Sequence, residues 1–330
     1  MRVATLDDGT RDGALVVVSA DHTRAVPAPH DYATLQQALD DWERAAPRLA
    51  ELARRLDTGT ADAMVPFESC RALAPLPRSY QWLDGSAYRS HGQLMAQVFG
   101  IDNPQTGRPL MYQGMSHEFL GPGTDVPLPS EDDGIDFEGE FGVITDAVPM
   151  GVSVTDAEQH IRLVMLINDW SLRTLAPIEM KTGFGWVQAK PACSAAPVAV
   201  TPDELGAQWQ DARVHLRLET SWNDRPFGSV DGSQMEFGFG ELVAHAARTR
   251  RLCAGTIVGS GTVSNPNYRE VGSSCVAERR AIELLDTGAS RTAYLRFGDC
   301  VRMEARDPNG RSVFGAIDQR VVRYEQPHRA

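Results

Sequence analysis

The chain lacks a basic block. Its 330 residues carry 32 Lys and Arg against 44 Asp and Glu, a net charge of −12, and no run of cations is present to neutralise a phosphate backbone or an anionic bilayer. Nucleic acid and membrane are thereby excluded as main partners, whereas an acidic small molecule is not, provided a metal and a few cations are focused in one cleft. There is no stretch of about 18 apolar residues to span a bilayer, and the opening residues Met1 to Gly13 lack the pattern of a signal peptide, so a soluble, cytoplasmic protein is expected. Cysteine is sparse and scattered: Cys70, Cys193, Cys253, Cys275 and Cys300 are odd in number and show no CxxC spacing. This argues against a disulfide framework or a zinc site and suits reduced, buried small residues. A GxGxxG after a strand, a P-loop, an HExxH and a GxSxG elbow are all missing, which removes nucleotide-binding, zinc-peptidase and serine-hydrolase readings.

What is present is an unusual acidic stretch, Ile135-Asp136-Phe137-Glu138-Gly139-Glu140-Phe141-Gly142-Val143. As a strand it has period two, so Asp136, Glu138 and Glu140 share one face while Phe137, Phe141 and Val143 share the other. Carboxylates two residues apart repel, and no Lys or Arg is interleaved to relieve them. Two readings follow: a half-exposed antiparallel strand whose wet face is acidic, or a site for a hard divalent cation, Mg²⁺ or Ca²⁺, which takes oxygen ligands.

In chain order, residues 1 to 30 read as a hairpin-based β unit with a strand at Ala14 to Val18. A helical stretch from Tyr32 to Leu56 follows, broken near Pro47. The prolines of Leu73-Ala74-Pro75-Leu76-Pro77 carry an extended chain into a main domain near residue 75. From His91 to Pro129 the sequence reads as a long irregular run, and residues 92 to 118 are expected to close over a ligand. Thr155-Asp156-Ala157-Glu158 reads as a capping box opening a helix that ends near Ile167. Asp169 then stands at a helix exit, where the dipole disfavours a carboxylate; it is either a turn former or a second acid in want of a cation. Beyond Ala212 the chain turns β-like, with Trp222 to Pro226 and Asp307-Pro308-Asn309-Gly310 as turns.

Along this chain stand Asp84 and, seven positions on, His91; the Glu138-x-Glu140 pair; Asn168-Asp169-Trp170-Ser171-Leu172-Arg173; Lys190; Ser260-Gly261-Thr262; and Glu278. In that order and spacing they resemble the fumarylacetoacetate hydrolase family, specifically its two-domain members similar to fumarylacetoacetase, from about Leu73 to the C-terminus. The resemblance implies an α+β, mainly β fold, with a rolled β-sandwich over residues 76–330, a small α/β N-terminal domain over residues 1–75, and a homodimer. It implies that Asp84, Glu138, Glu140 and Asp169 ligate Mg²⁺ or Ca²⁺, with Asp136 behind them or at the rim. His91 would be the general base and Glu278 its orienting partner. Arg173 and Lys190 would face a developing oxyanion, and Tyr112 and Thr262 would touch substrate.

Singly, each of these residues has a plainer role, His91 as a surface or hydrogen-bonding residue and Arg173, Lys190 and Glu278 as solvated or paired charges. Lys181 competes with Lys190 for its role, and Pro191 favours Lys190. Three residues after the Arg the family pattern has a Gln, where this chain has Ala176, with Gln188 as its replacement; Glu278 also lies two positions further from the Ser-Gly-Thr turn. The implied activity is hydrolysis of a carbon–carbon bond in a β-diketone oxo-acid, foremost fumarylacetoacetate at the end of tyrosine breakdown. The same cradle serves acylpyruvate hydrolysis, oxo-acid decarboxylation, isomerisation and hydration. A non-catalytic protein that uses the cation for stability is the other class of reading.

Overall fold

A computed structural model describes residues 1–67, 71–99 and 107–326. Cys70 lies outside them. Alternation at the N-terminus produces strands Arg2–Leu6, Ala14–Val18 and Arg24–Pro27, paired antiparallel in sequence order. Two helices, Leu35–Asp40 and Trp42–Asp57, cover this meander with Leu35, Leu39, Trp42, Leu49 and Leu56 buried. The break falls at Asp41, with φ −130°, and Pro47 sits inside the second helix. The first helix starts where Thr34 and Gln37 close a reciprocal capping box. Strand Arg2–Leu6 also pairs with Val198–Val200, and Val3, Leu15 and Leu49 share one core with Trp82, Ile144 and Leu163. The N-terminal sheet is thus continuous with the main one.

The main sheet runs, from that junction, Val198–Val200, Ile161–Asn168, Gly139–Thr145, Ile257–Gly259, Trp82–Ser86, Leu110–Gly114. Only one helical turn, Val154–Glu158, precedes its central strand, and Ser153 rather than Thr155 caps that turn, accepting from the Asp156 amide at 3.1 Å. The helix expected to continue to Ile167 is instead strand Ile161–Asn168, with all but Arg162 buried. A run apolar on both faces suits a strand covered on both sides, and helical spacing within it was coincidental.

A second, five-stranded sheet has the order Arg225–Asp231, Arg217–Trp222, Cys300–Arg306, Ser312–Arg323, Val126–Leu128. Its first hairpin turns through Asn223 and Asp224, with φ 49° and 60°, the left-handed pair a two-residue connection requires. Phe141 and Val143 of the main sheet meet Leu218, Phe314, Ile317 and Val321 of the second in a common core, with the Phe141 and Phe314 ring centroids 6.2 Å apart. Strand outweighs helix, at 32% against 27%.

Among its described residues, the run from His91 to Pro129 is not irregular. It begins within helix Arg89–Phe99 and contains strands Leu110–Gly114, Phe119–Leu120 and Val126–Leu128. Residues 100–106 of the segment expected to close over a ligand lie outside the described residues. Among the described residues no helix is long and apolar enough to cross a membrane.

Candidate active site

Three strands deliver three carboxylates to one point. Glu140 is the second residue of strand Gly139–Thr145, and Asp169 directly follows strand Ile161–Asn168. The register sets Gly139 opposite Asn168 and Glu140 opposite Ile167, so Asp169 comes beside Glu138 and two residues along from the partner of Glu140. Asp84 comes from Trp82–Ser86, across the short strand Ile257–Gly259. Gly259 fills the place between, opposite Gly142 on one side and Asp84 on the other. A Cβ there would fall under 3.0 Å from both Asp84 Oδ1 and the Trp82 ring, so the close approach requires glycine.

Asp84, Glu140 and Asp169 each offer an oxygen within 4.8 Å of the others and are 5%, 0% and 0% exposed. Neither oxygen of Glu140 has a hydrogen-bond partner. Burial pushes the Glu140 carboxyl well above its ordinary pKa, and the Asp84 and Asp169 charges push it further. Asp84 is raised in the same way, by burial first and Asp169 second. A dry cluster of oxygens with one member wholly unpaired fits a hard divalent cation.

Glu138, expected in the same ligand set, faces elsewhere. Its Oε1 accepts from Arg173 Nη2 and its Oε2 from Lys190 Nζ at 2.5 Å. Burial alone would raise its pKa, but Arg173, Lys190 and His91 outweigh burial and hold it below the ordinary value. Lys190 Nζ also donates to Asp169 Oδ2 at 2.5 Å and to Ser171 Oγ at 2.8 Å, so it ties Glu138 to the cluster. Burial works against the Lys190 charge; Asp169 and Glu138 prevail and keep it cationic. The acidic strand has no wet face. Asp136 is 0% exposed rather than a rim residue, and it accepts from Arg173 Nε at 2.7 Å, Val276 N at 2.7 Å and Ala277 N at 2.9 Å. It therefore pins the N-terminus of helix Val276–Thr287, the helix that carries Glu278.

His91 lies in the first turn of helix Arg89–Phe99, with Nδ1 buried, unpartnered and 3.9 Å from Glu278 Oε1. That gap is too long for a hydrogen bond. Glu278 is fully buried; Oε1 accepts from Ser264 Oγ and Oε2 has no partner. Tyr112 donates to Asp169 Oδ2 at 2.7 Å, and its ring meets Trp186 edge-on at 6.0 Å. Thr262 is buried between Gly261, whose amide donates to Asp84 Oδ1 at 3.1 Å, and Val263, whose amide donates to the Gly139 carbonyl. Gln188 is exposed; its amide donates to Glu179, and among the described residues its side chain makes no hydrogen bond that would join it to the cluster. Lys181 is exposed too, which leaves Lys190 as the buried cation.

Two cysteines went unrecognised in the sequence. Cys193 donates its thiol to Asp169 Oδ1 at 3.0 Å, and Cys275 caps the Glu278 helix, its sulphur accepting from the Glu278 amide. Cys193 is three residues past Lys190, a proximity that could have flagged it; Cys275 had only its place before Glu278. Both are buried as expected, whereas Cys253 is exposed.

Two family models match the chain: fumarylacetoacetase N-terminal domain 2 over residues 1–78, and fumarylacetoacetate (FAA) hydrolase C-terminal over residues 81–322. Among curated proteins, the 2,4-didehydro-3-deoxy-L-rhamnonate hydrolase of Sphingomonas sp. (strain SKA58) is 27% identical over 162 residues, 48% of this chain and 54% of the relative. The oxaloacetate tautomerase of Bacillus subtilis (strain 168) is 26% identical over 222 residues, 66% of this chain and 70% of the relative. The chain thus spans about half the length of the first of these relatives and about 70% of the second. Among solved structures, the maleylpyruvate hydrolase of Sphingobium sp. SYK-6, in complex with manganese(II) and pyruvate, superposes with a TM-score of 0.66 at 17% identity, covering 98% of this chain and 100% of that one. Because the larger family model spans most of the chain, including every carboxylate of the cluster, the chain belongs to the fumarylacetoacetate hydrolase family.

Proposed function

We propose that this protein hydrolyses a carbon–carbon bond in a small β-diketone oxo-acid, with fumarylacetoacetate as the first substrate to test. The observation that carries the reading is Glu140: both its oxygens are buried and unpartnered at the meeting point of Asp84 and Asp169, while Glu138 and Asp136 are fully engaged. Asp84, Glu140 and Asp169 would hold a divalent cation, while Glu138, engaged by Arg173 and Lys190, stays outside the set. When bound, such a cation supplies the positive charge that holds and polarises adjacent substrate oxygens.

The chain's own residues account for the proton and charge movements. His91 takes a proton from water as the water oxygen bonds to the substrate carbonyl carbon. Glu278, fully buried beside it, favours the imidazolium so formed. When the carbon–carbon bond breaks, its electron pair leaves with the departing fragment, and the proton on His91 returns to that carbon. Lys190 and Arg173, each shared between two carboxylates, offset part of the negative charge that develops beside them, and burial keeps water from screening them. Tyr112 holds Asp169 through its hydroxyl and so steadies the cradle.

A second reading, keto–enol tautomerisation of an oxo-acid, is supported by the likeness to the oxaloacetate tautomerase of Bacillus subtilis; it needs proton transfer by His91 and no attacking water. Purified protein, stripped with chelator and reloaded with Mg²⁺, Ca²⁺ or Mn²⁺, should be offered fumarylacetoacetate, an acylpyruvate and oxaloacetate in parallel. Cation-dependent cleavage of either diketone supports hydrolysis; enol–keto exchange of oxaloacetate with no cleavage moves the protein to the second reading. Silence on all three would sink both.

A further inference from the structure

Beside the all-oxygen cradle lies a second cluster of different chemistry. A nitrogen of His91, the sulphur of Cys275 and an oxygen of Glu278 all lie within 4.8 Å of one another. His91 Nδ1 and Glu278 Oε2 are buried with no hydrogen-bond partner, and Glu278 is 0% exposed. Such orphaned groups in a dry pocket leave hydrogen-bonding capacity unspent, and one polar atom of each of the two side chains is in that state. Cys275 is the N-cap of the twelve-residue helix Val276–Thr287; burial, Asp136 and Glu278 push its thiol up, so the sulphur keeps its proton until a cation displaces it.

We propose that His91, Cys275 and Glu278 form a binding site for a borderline-soft divalent cation of the Zn²⁺ class, separate from the hard-cation cradle. One nitrogen, one sulphur and one carboxylate oxygen are three ligands of the kinds zinc takes, leaving a fourth position for water. The thiolate discriminates against Mg²⁺ and Ca²⁺, which prefer oxygen, just as the oxygen-only cluster of Asp84, Glu140 and Asp169 suits those harder ions. Binding converts the thiol to thiolate and releases its proton to solvent. A cation on His91 Nδ1 prevents the ring from becoming imidazolium, so occupation of this site silences the proposed base. That consequence rests on the functional reading above; the binding does not.

The test uses full-length protein held in excess Mg²⁺, so that the oxygen cradle is taken, and needs no substrate. Co²⁺, an optical stand-in for zinc, should produce a thiolate-to-metal charge-transfer band, and competition against a chelating dye should show one Zn²⁺ bound per chain. Cys275→Ser, which can still cap the helix, should abolish the band and weaken Zn²⁺ at least about tenfold while keeping the Mg²⁺-induced rise in melting temperature; His91→Ala should weaken Zn²⁺ to a similar degree. Cys253→Ser, an exposed cysteine, should change nothing. Absence of the band would overturn the proposal. So would a band lost in Cys193→Ser but kept in Cys275→Ser, because the sulphur would then be the one on Asp169. Inhibition by Zn²⁺ of whatever turnover is found should weaken in step with binding in Cys275→Ser; binding without any turnover would leave the site standing and remove only the functional reading.

Discussion

Replacing Glu140 by glutamine should make the protein more stable without a divalent cation and less responsive with one. The oxygens of Asp84, Glu140 and Asp169 lie within 4.8 Å of one another. Two full negative charges at that separation repel by about 3.5 kcal/mol at an effective dielectric near 20. Proton uptake relieves part of this, because burial and then the neighbouring acids raise the Glu140 carboxyl; the relief expected from Glu140→Gln is therefore about 1–3 kcal/mol, less than the full-charge repulsion. With an unfolding entropy of about 2.1 cal/mol/K per residue over 330 residues, 1 kcal/mol corresponds to about 1.4 °C. In chelator the variant should melt about 2–4 °C above the parent. Mg²⁺ at about 100 times its Kd adds about 2.7 kcal/mol, or about 4 °C, to the parent, and much less to a variant missing the unpaired ligand. Scanning calorimetry in chelator and in Mg²⁺ reads both effects. A variant that melts below the parent in chelator and gains as much from Mg²⁺ would refute the assignment of Glu140 as the cation's central ligand.

The same cluster sets a pH dependence. Asp84 and Glu140 both have raised values in the folded chain, so between the ordinary carboxylate range and those raised values the folded state binds more protons than the unfolded. Metal-free stability should then fall as pH rises through that window, the reverse of a salt-bridged acid, and Mg²⁺ affinity should climb; urea midpoints that increase steadily with pH in chelator would contradict this. His91→Ala should reduce turnover by about 10²–10⁴-fold while leaving the Mg²⁺-induced melting shift intact, and steady-state kinetics beside calorimetry would show whether the two separate. Gly259→Ala, whose Cβ would collide with Asp84 and Trp82, should cost about 1–3 kcal/mol in denaturant unfolding and weaken Mg²⁺. Asp136→Ala uncaps the Glu278 helix and strips Arg173 of a buried partner, for a loss of about 3–5 kcal/mol in the same unfolding assay; a loss under 1 kcal/mol would mean that Arg173 re-pairs freely.

Much of this architecture is written locally. Asn223 and Asp224 declare their hairpin because few other residues accept φ near 50–60° in succession. The acidic stretch declares itself through three carboxylates with no cation interleaved, although only Glu140 is left unpaired in the fold, Asp136 and Glu138 being engaged by Arg173 and Lys190 from elsewhere in the chain. Strand Ile161–Asn168 was hidden, since a run that is apolar on both faces carries no period to tell strand from helix. Read as a helix, that run places Asp169 at a helix exit with a dipole conflict; in the fold Asp169 follows a strand that lies beside that of Glu140, and no such conflict arises. Period two also failed to separate Glu138 from Glu140. The strand is interrupted between Asp136 and Gly139, and whether a carboxylate then meets a cation or another acid depends on Arg173 and Lys190, which lie 35 and 52 residues further along from Glu138. Cys275 and His91, far apart in the chain, could be joined only by the fold.

The distribution of charge explains why so acidic a pocket is tolerated. Asp84, Asp136, Glu138, Glu140, Asp169 and Glu278 are all buried, against two permanent cations, Arg173 and Lys190. Those cations are not shared evenly. Arg173 spans Asp136 and Glu138, and Lys190 spans Glu138 and Asp169, so Glu138 is saturated from both sides while Glu140 receives neither. An even spread would have lowered the cost of burying each acid. Concentrating the deficit at Glu140 instead leaves one place where a small, doubly charged ion gains the most, and the missing side chain at Gly259 opens the sheet at that point. The prediction contained in this arrangement is a charge-swap one: Lys190→Met, which releases both Glu138 and Asp169, should raise the number of acids competing for the cation, so the variant should be less stable than the parent in chelator yet gain more from Mg²⁺. Equal gains in the two proteins, measured by the same calorimetry, would show that Lys190 does not ration negative charge to the cradle.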